Sequence, residues 1–556
     1  MNKKVCSFPI LFALLALVVG TCAVVFPASA QAAPTSTGSI TVSGTVASSY
    51  DAYQIFSANV VDGDSDSKIA TDLAWASDAV RDAALPVLHS AGMPKSQTTA
   101  REAAEWLNAD SHLTSALSAQ LARSLQSSGA VPVTLNAGAA AKLPCGYWLI
   151  VADDDSIAQG EAGTAPIMAL VGGSAVTVKP KAATPKVAKH VLEDSTAAWQ
   201  KAADATVADD LYWRLSATVP AGLAAYDTYT VRFVDTMSAG LDPSKVAASM
   251  RVYVAAGADG GFDAVSAGKD GRAGTEPAKG WTDITAQCAT KVAADGKTFT
   301  VRTGDLIAAL GGADAFTAGA RVVAVYNAPL NSACNHGIAK GNPNEVYLRY
   351  PRSPFADQSG DAGFTSTPSD DACAYTWDLA LTKRGSDGDK PLAGAVLSIA
   401  DDRGRTLAAD GTWDAEGKAT VTTGEDGRVT VSGVDSGKLE VRELKAPKGY
   451  TAFEGARSVT VKAEGLDVDQ VAAAKPKLTI TAESPLRADS ADGSTGSLEA
   501  SLINTPTGTP PSITTGGFMP STGDMAMYAA AAAAVAGAAL IVVALLVKRG
   551  GGSHKE

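Results

Sequence analysis

Apolar and polar residues alternate with a period of two through most of this chain, broken at short intervals by Gly, Asp and Pro, and this pattern limits it to a mainly β architecture. Leu211-Tyr212-Trp213-Arg214-Leu215, Tyr229-Thr230-Val231-Arg232-Phe233-Val234 and Val322-Val323-Ala324-Val325-Tyr326 are such runs. Successive side chains of a strand point to opposite faces, so each run buries one row and leaves the other outside. The expected fold is a series of antiparallel sandwiches. Helical spacing enters in one region. Leu113, Leu117, Leu121 and Leu125 recur every fourth residue, and residues 99–107 read as another helix.

Length sets the number of units. About 490 residues separate Ala33 from Gly523, more than one core usually covers, and three domains of ordinary size are expected. The first, at 38–180, has strands at Ile40-Thr41-Val42-Ser43, Tyr53-Gln54-Ile55-Phe56, Tyr147-Trp148-Leu149-Ile150-Val151 and Ala175-Val176-Thr177-Val178, with the helices between them. The second spans 184–352 and the third 375–505. The predicted architecture is therefore tandem immunoglobulin-like β-sandwiches, the first with helical insertions. Residues 506–518, rich in Pro, Gly and Thr, read as a flexible spacer.

Both ends are apolar. Lys3 and Lys4 precede an apolar run that closes on small residues near Ala30 and Ala32, the order of a signal peptide over 1–32. At the other end, residues 525–547 form an uncharged stretch long enough to cross a ~30 Å hydrocarbon layer as a helix. Lys548, Arg549 and Lys555 follow it, which by the positive-inside bias places the short tail in the cytoplasm and the body outside.

The net charge of −12 argues against nucleic acid as a partner. With the leader removed, four cysteines remain: Cys145, Cys288, Cys334 and Cys373. In an oxidising exterior they allow three connectivities of two disulfides, and Cys288 with Cys334 is the favoured pair because both fall within the second unit. The histidines, His89, His112, His190, His336 and His554, show no metal-ligand spacing. Neither a metal nor another cofactor is expected, and no nucleophile elbow suggests a turnover enzyme.

Several segments resemble known families. Met519-Pro520-Ser521-Thr522-Gly523, followed by the apolar span and basic tail, is similar to the LPXTG sorting signal of Gram-positive wall proteins, with Met519 in the place of Leu. The opening Ala52-Tyr53-Gln54-Ile55-Phe56 and the later Gly146-Tyr147-Trp148-Leu149-Ile150 look like the N-terminal domain of pilus backbone proteins. In the second unit, Pro185-Lys186-Val187-Ala188-Lys189, Lys201-Ala202-Ala203-Asp204, the segment from Phe233 to Leu241 and that from Gly341 to Val346 resemble a fimbrial isopeptide-forming domain of CnaA-like type. In the third, Leu381-Thr382-Lys383, the segment from Lys390 to Ala395, that from Val441 to Tyr450 and Ser501-Leu502-Ile503-Asn504 look like a CnaB-like domain. Val176-Thr177-Val178-Lys179-Pro180-Lys181 is similar to the pilin motif, with Lys179 and Ala182 in place of its usual tyrosine and asparagine.

These resemblances imply a chemistry. A buried lysine, an asparagine and a carboxylic acid form an intramolecular isopeptide bond, because burial favours the neutral amine and the protonated acid, and well-oriented partners reach effective molarities of about 10⁵ to 10⁸ M. In the third unit the roles fall to Lys383 as nucleophile, Asn504 as electrophile and Glu443 as proton shuttle. In the second, Lys189 and Asp235 match the lysine and acid. The family's closing Tyr-Ser-Asn is replaced by Tyr350-Pro351-Arg352, so either Asn342 or Asn344 substitutes or the bond is absent. Lys181 is the expected acceptor of the neighbouring subunit's Thr522.

The implied function is the shaft subunit of a sortase-assembled pilus, with sortase, identical subunits and peptidoglycan as partners and the cell wall as location. The alternative is a monomeric wall-anchored adhesin that uses the same domains as a stalk and binds a host surface ligand.

Overall fold

Where strand pairing is long and regular, the period-two rows stack into sheets, and the computed structural model describes residues 36–64, 67–109, 111–180, 184–221, 223–257 and 280–508. The expected leader, Lys181, the motif Met519, Pro520, Ser521, Thr522 and Gly523, and the apolar span at 525–547 lie outside the described residues. Among the described residues, no helix is long and apolar enough to cross a membrane.

The first unit is organised on one long strand, Ser49–Asp62, flanked by Lys68–Trp75 and Gly146–Ala152, with Ile167–Val171 beyond the latter and Val133–Asn136 added to the central strand. Tyr53 and Ile55 face one side and Tyr50 and Ala52 the other, as the alternation requires. Helices Asp78–Ser90, Ala100–Asn108 and Ser115–Ser127 cover the first side, where Leu88, Leu121 and Leu125 pack on Phe56 and Leu149. A small sheet of Ala140–Pro144, Thr37–Val42 and Val176–Val178 covers the other.

Two of the helices follow the sequence reading. Thr99 and Glu102 form a reciprocal cap at the start of Ala100–Asn108. Leu117, Leu121 and Leu125 are buried on Ser115–Ser127, but Leu113 is exposed, because Thr114 caps that helix through its hydroxyl to Leu117 N at 3.2 Å. The stripe therefore begins one turn later than its spacing suggests.

The second unit is a sandwich. One sheet has the order Ala198–Gln200, Val187–Glu193, Tyr212–Thr218, Arg321–Asn327, Arg251–Ala255, Trp281–Asp283; the other has Ala202–Asp204, Asp370–Tyr375, Asn342–Pro351, Arg232–Met237, Thr298–Arg302, Ala289–Val292, with Phe364–Ser366 paired to Asn342–Pro351. Trp213, Leu215, Phe233, Phe299, Val322 and Leu348 fill the space between them. Each such side chain contributes roughly 1.5–3 kcal/mol by leaving water. The second sheet reaches past the expected boundary at Arg352, since Phe364–Ser366 and Asp370–Tyr375 belong to it.

The third unit is a sandwich too. Strand Trp377–Gly385 runs between Arg428–Val434 and Ser497–Pro506, antiparallel to the former and parallel to the latter. The facing sheet includes Val396–Ala400, Gly437–Lys445, Ala456–Glu464 and Lys477–Ala482 in that order. Its core is Leu379, Leu381, Leu397, Val441, Val459, Leu498 and Leu502.

The expected pairing of Cys288 with Cys334 does not form, and all four described cysteines are free. Cys288 follows the short turn Thr285–Gln287 and its thiol donates to Ile284 O at 3.3 Å, whereas Cys334 Sγ lies 3.5 Å from His336 Nε2. Membership of one unit brings two thiols near one core without aiming them at each other.

Candidate functional site

In the third unit a lysine, a glutamate and an asparagine continue apolar rows. Trp377, Leu379, Leu381 and Lys383 face inward in turn on one strand, Leu498, Ala500, Leu502 and Asn504 on its parallel neighbour, and Leu439, Val441 and Glu443 on the facing sheet. The polar residue that ends each row is thus delivered to one end of the core. Lys383 pairs in register with Leu502 and Gly385 with Asn504, so the lysine and asparagine are diagonal neighbours on the first and last strands of the sandwich.

The three side chains meet in the buried interior. Lys383 Nζ lies 3.6 Å from Glu443 Oε1 and donates to Leu502 O at 3.2 Å. Asn504 Nδ2 donates to both Glu443 oxygens, at 2.9 and 3.0 Å, and Phe453 N donates to Oε2 at 3.2 Å. Burial pushes the Lys383 amine down to about 8, with Glu443 acting in the opposite direction. Asn504 Oδ1 is buried and has no hydrogen-bond partner among the described residues.

The second unit holds a similar cluster between its sheets. Lys189 comes from one sheet and Asp235 and Asn344 from the other, all completely buried. Lys189 Nζ contacts Asp235 Oδ2 directly and donates to the Tyr326 hydroxyl at 2.9 Å. That hydroxyl donates to Asp235 Oδ2 at 3.0 Å and accepts from Asn344 Nδ2 at 2.8 Å. The rings of Trp213 and Tyr326 each lie 5.5 Å from the ammonium nitrogen. Burial draws Lys189 down to about 8 against the pull of Asp235, and burial raises the Asp235 carboxyl against Lys189 and Tyr326. Lys201 donates to Lys189 O at 2.8 Å, and Lys189 N donates to Asp370 at 2.6 Å, which fixes the lysine's backbone.

Of the two asparagines left open by the sequence, Asn344 joins this cluster. Asn342 faces the same core two residues away, but donates to Asn335 O at 2.9 Å and Ala374 O at 3.2 Å and accepts from Asn335 N at 2.8 Å. Tyr326 was not legible as a site residue. A tyrosine closing the run Val322-Val323-Ala324-Val325 reads as ordinary core, and only its hydroxyl's neighbours say otherwise. Lys179, next to the expected acceptor Lys181, is exposed.

Comparison with known proteins gives partial matches. Residues 378–475 match SpaA, a prealbumin-like fold domain. Over 134 residues the chain is 31% identical to the trypsin-resistant surface T6 protein of Streptococcus pyogenes serotype M6, a stretch that covers 23% of each sequence. Among solved structures it is similar to the T6 backbone pilin of that serotype, with a TM-score of 0.45 and 17% identity over 85% of this chain and 98% of that one. It is also similar to the major pilin SpaD of Corynebacterium diphtheriae, with a TM-score of 0.41 and 15% identity over 86% and 100%.

Proposed function

We propose that this chain is the shaft subunit of a covalently polymerised Gram-positive pilus, braced inside by Lys–Asn isopeptide bonds and joined by sortase to its neighbours and finally to peptidoglycan. The observation that carries the reading is the complete burial of Lys383 beside Glu443 and Asn504 on the first and last strands of one sandwich. An ion pair kept only for stability gains little from such burial, since desolvating two charges offsets their attraction. A reacting pair has a use for it.

Two protons must move for the bond to form. The neutral Lys383 amine attacks the Asn504 carboxamide carbon, Glu443 takes a proton from the amine and passes one to the departing nitrogen, and ammonia leaves as the new amide remains. Glu443 is suited to the second transfer because both its oxygens lie within 3.0 Å of Asn504 Nδ2. In the second unit the same roles suit Lys189, Asp235 and Asn344. Asp235 Oδ1 and Asn344 Oδ1 are both buried without a donor among the described residues, and a proton on the carboxyl supplies one.

An open filament follows if the C-terminal Thr522 of one subunit is joined to Lys181 of the next, because head-to-tail contacts of this kind do not close. The test is a denaturing gel of wall extracts from cells that make the chain. A ladder of high-mass species is expected, and a single band at monomer mass would favour the wall-anchored adhesin instead.

A further inference from the structure

We infer that Cys334 is a reactive thiol, activated by His336 and Asp378 at the junction of the second and third units, and that it forms mixed disulfides with small organic disulfides. Its Sγ lies 3.5 Å from His336 Nε2, and His336 Nδ1 lies 2.8 Å from Asp378 Oδ1. Ser432 Oγ and Gly433 N donate to the same Asp378 oxygen at 2.6 and 3.1 Å, which fixes the carboxylate. A nucleophile beside a base that is itself oriented by a third group is the arrangement that activates sulfur. Asp378 first, and then Cys334, push His336 up to about 10, so the ring carries its proton at neutral pH.

The geometry is held from outside the cluster. Asn342 grips the backbone of Asn335, the residue between Cys334 and His336, accepting from Asn335 N at 2.8 Å and donating to Asn335 O at 2.9 Å. This gives the completely buried Asn342 a use that the lysine cluster does not. The same loop docks on the third unit, with Gly337 N donating to Thr376 O at 3.0 Å and Ile338 N to Gly493 O at 3.1 Å. Gly337 has φ of +75°, and a Cβ there would stand 2.4 Å from Thr495 C, so the approach requires glycine. Asp378, from the other unit, is thereby brought to the imidazole.

Cys334 is buried, at 9% exposure, but less deeply than Cys145 and Cys373, which are 2% exposed. Cys288 is more open, but burial pushes its thiol up to about 11. In the reaction the Cys334 sulfur attacks one sulfur of R–S–S–R, a new disulfide forms, and RS⁻ departs; no other oxidant is consumed.

The test uses the full chain and hydroxyethyl disulfide at neutral pH, with labelled cysteines assigned by peptide mass. Cys334 is expected to react roughly tenfold faster than Cys288 despite its lower exposure. His336→Gln, which keeps a polar side chain but not the charge, should remove that advantage, and Asp378→Asn should reduce it. The Cys288 rate, unchanged in both variants, reports that the fold is intact. A Cys334 that reacts no faster than Cys288, or whose rate survives His336→Gln, overturns the inference.

Discussion

Asn344 Nδ2 donates to the hydroxyl of Tyr326 at 2.8 Å, and through that oxygen the asparagine is tied to Lys189 across the core of the second unit and to Asp235 on its own sheet. The Tyr326 hydroxyl is thus a hydrogen-bond partner shared by the lysine, the carboxyl group and the asparagine. A sandwich whose two sheets carry the reacting groups is joined across its interior when they combine.

The first prediction concerns which asparagine reacts. Intact mass of the full chain should fall short of the sequence mass by one ammonia for each bond. Asn344→Ala should restore one ammonia's mass, while Asn342→Ala should leave the deficit in place. Tyr326→Phe should slow the bond about a hundredfold if its hydroxyl carries protons.

In the third unit, Glu443→Ala should restore the mass of one ammonia by leaving Lys383 and Asn504 unjoined. The bond closes a loop of about 120 residues, so its loss should lower stability by roughly 3–5 kcal/mol, much as for a disulfide of that span. Thermal unfolding of Glu443→Ala beside wild type measures it, and an unchanged mass in the variant would sink the assignment.

A pH dependence follows for the unjoined form. In Asn504→Ala, Lys383 remains a buried amine held near 8 in the folded state, against its ordinary 10.5. Between these values the unfolded chain binds the extra proton and the folded chain does not, so stability should rise as pH rises through that window. Urea midpoints across the range read the slope. With its Lys383 nitrogen joined to Asn504 as proposed, wild type should lack this contribution.

Polymerisation should depend on Lys181 and Thr522. Lys181→Ala and Thr522→Ala are each expected to abolish the ladder of high-mass species, and Lys179→Ala to leave it intact. If Lys179→Ala removes the ladder and Lys181→Ala does not, the acceptor is the exposed lysine before Pro180.

By itself the sequence determined the sheets and their inward faces, because period-two alternation states which side of a strand is apolar before any partner is known. Lys383, Glu443 and Asn504 were marked by the resemblance of their segments to a CnaB-like domain, and the structure places each at the end of an otherwise apolar row. What lies opposite a given residue was decided only by register and by the stacking of one sheet on another. Asn342 and Asn344 share a strand and a face about 7 Å apart, and no pattern along the chain separates them. The stacking set Tyr326 and Lys189 against Asn344, and left Asn342 to clamp the loop that carries Cys334 and His336. The cysteines show the same division. Their number allowed bridges, but a bridge needs two Cβ directions that converge, and that is a property of the assembled core.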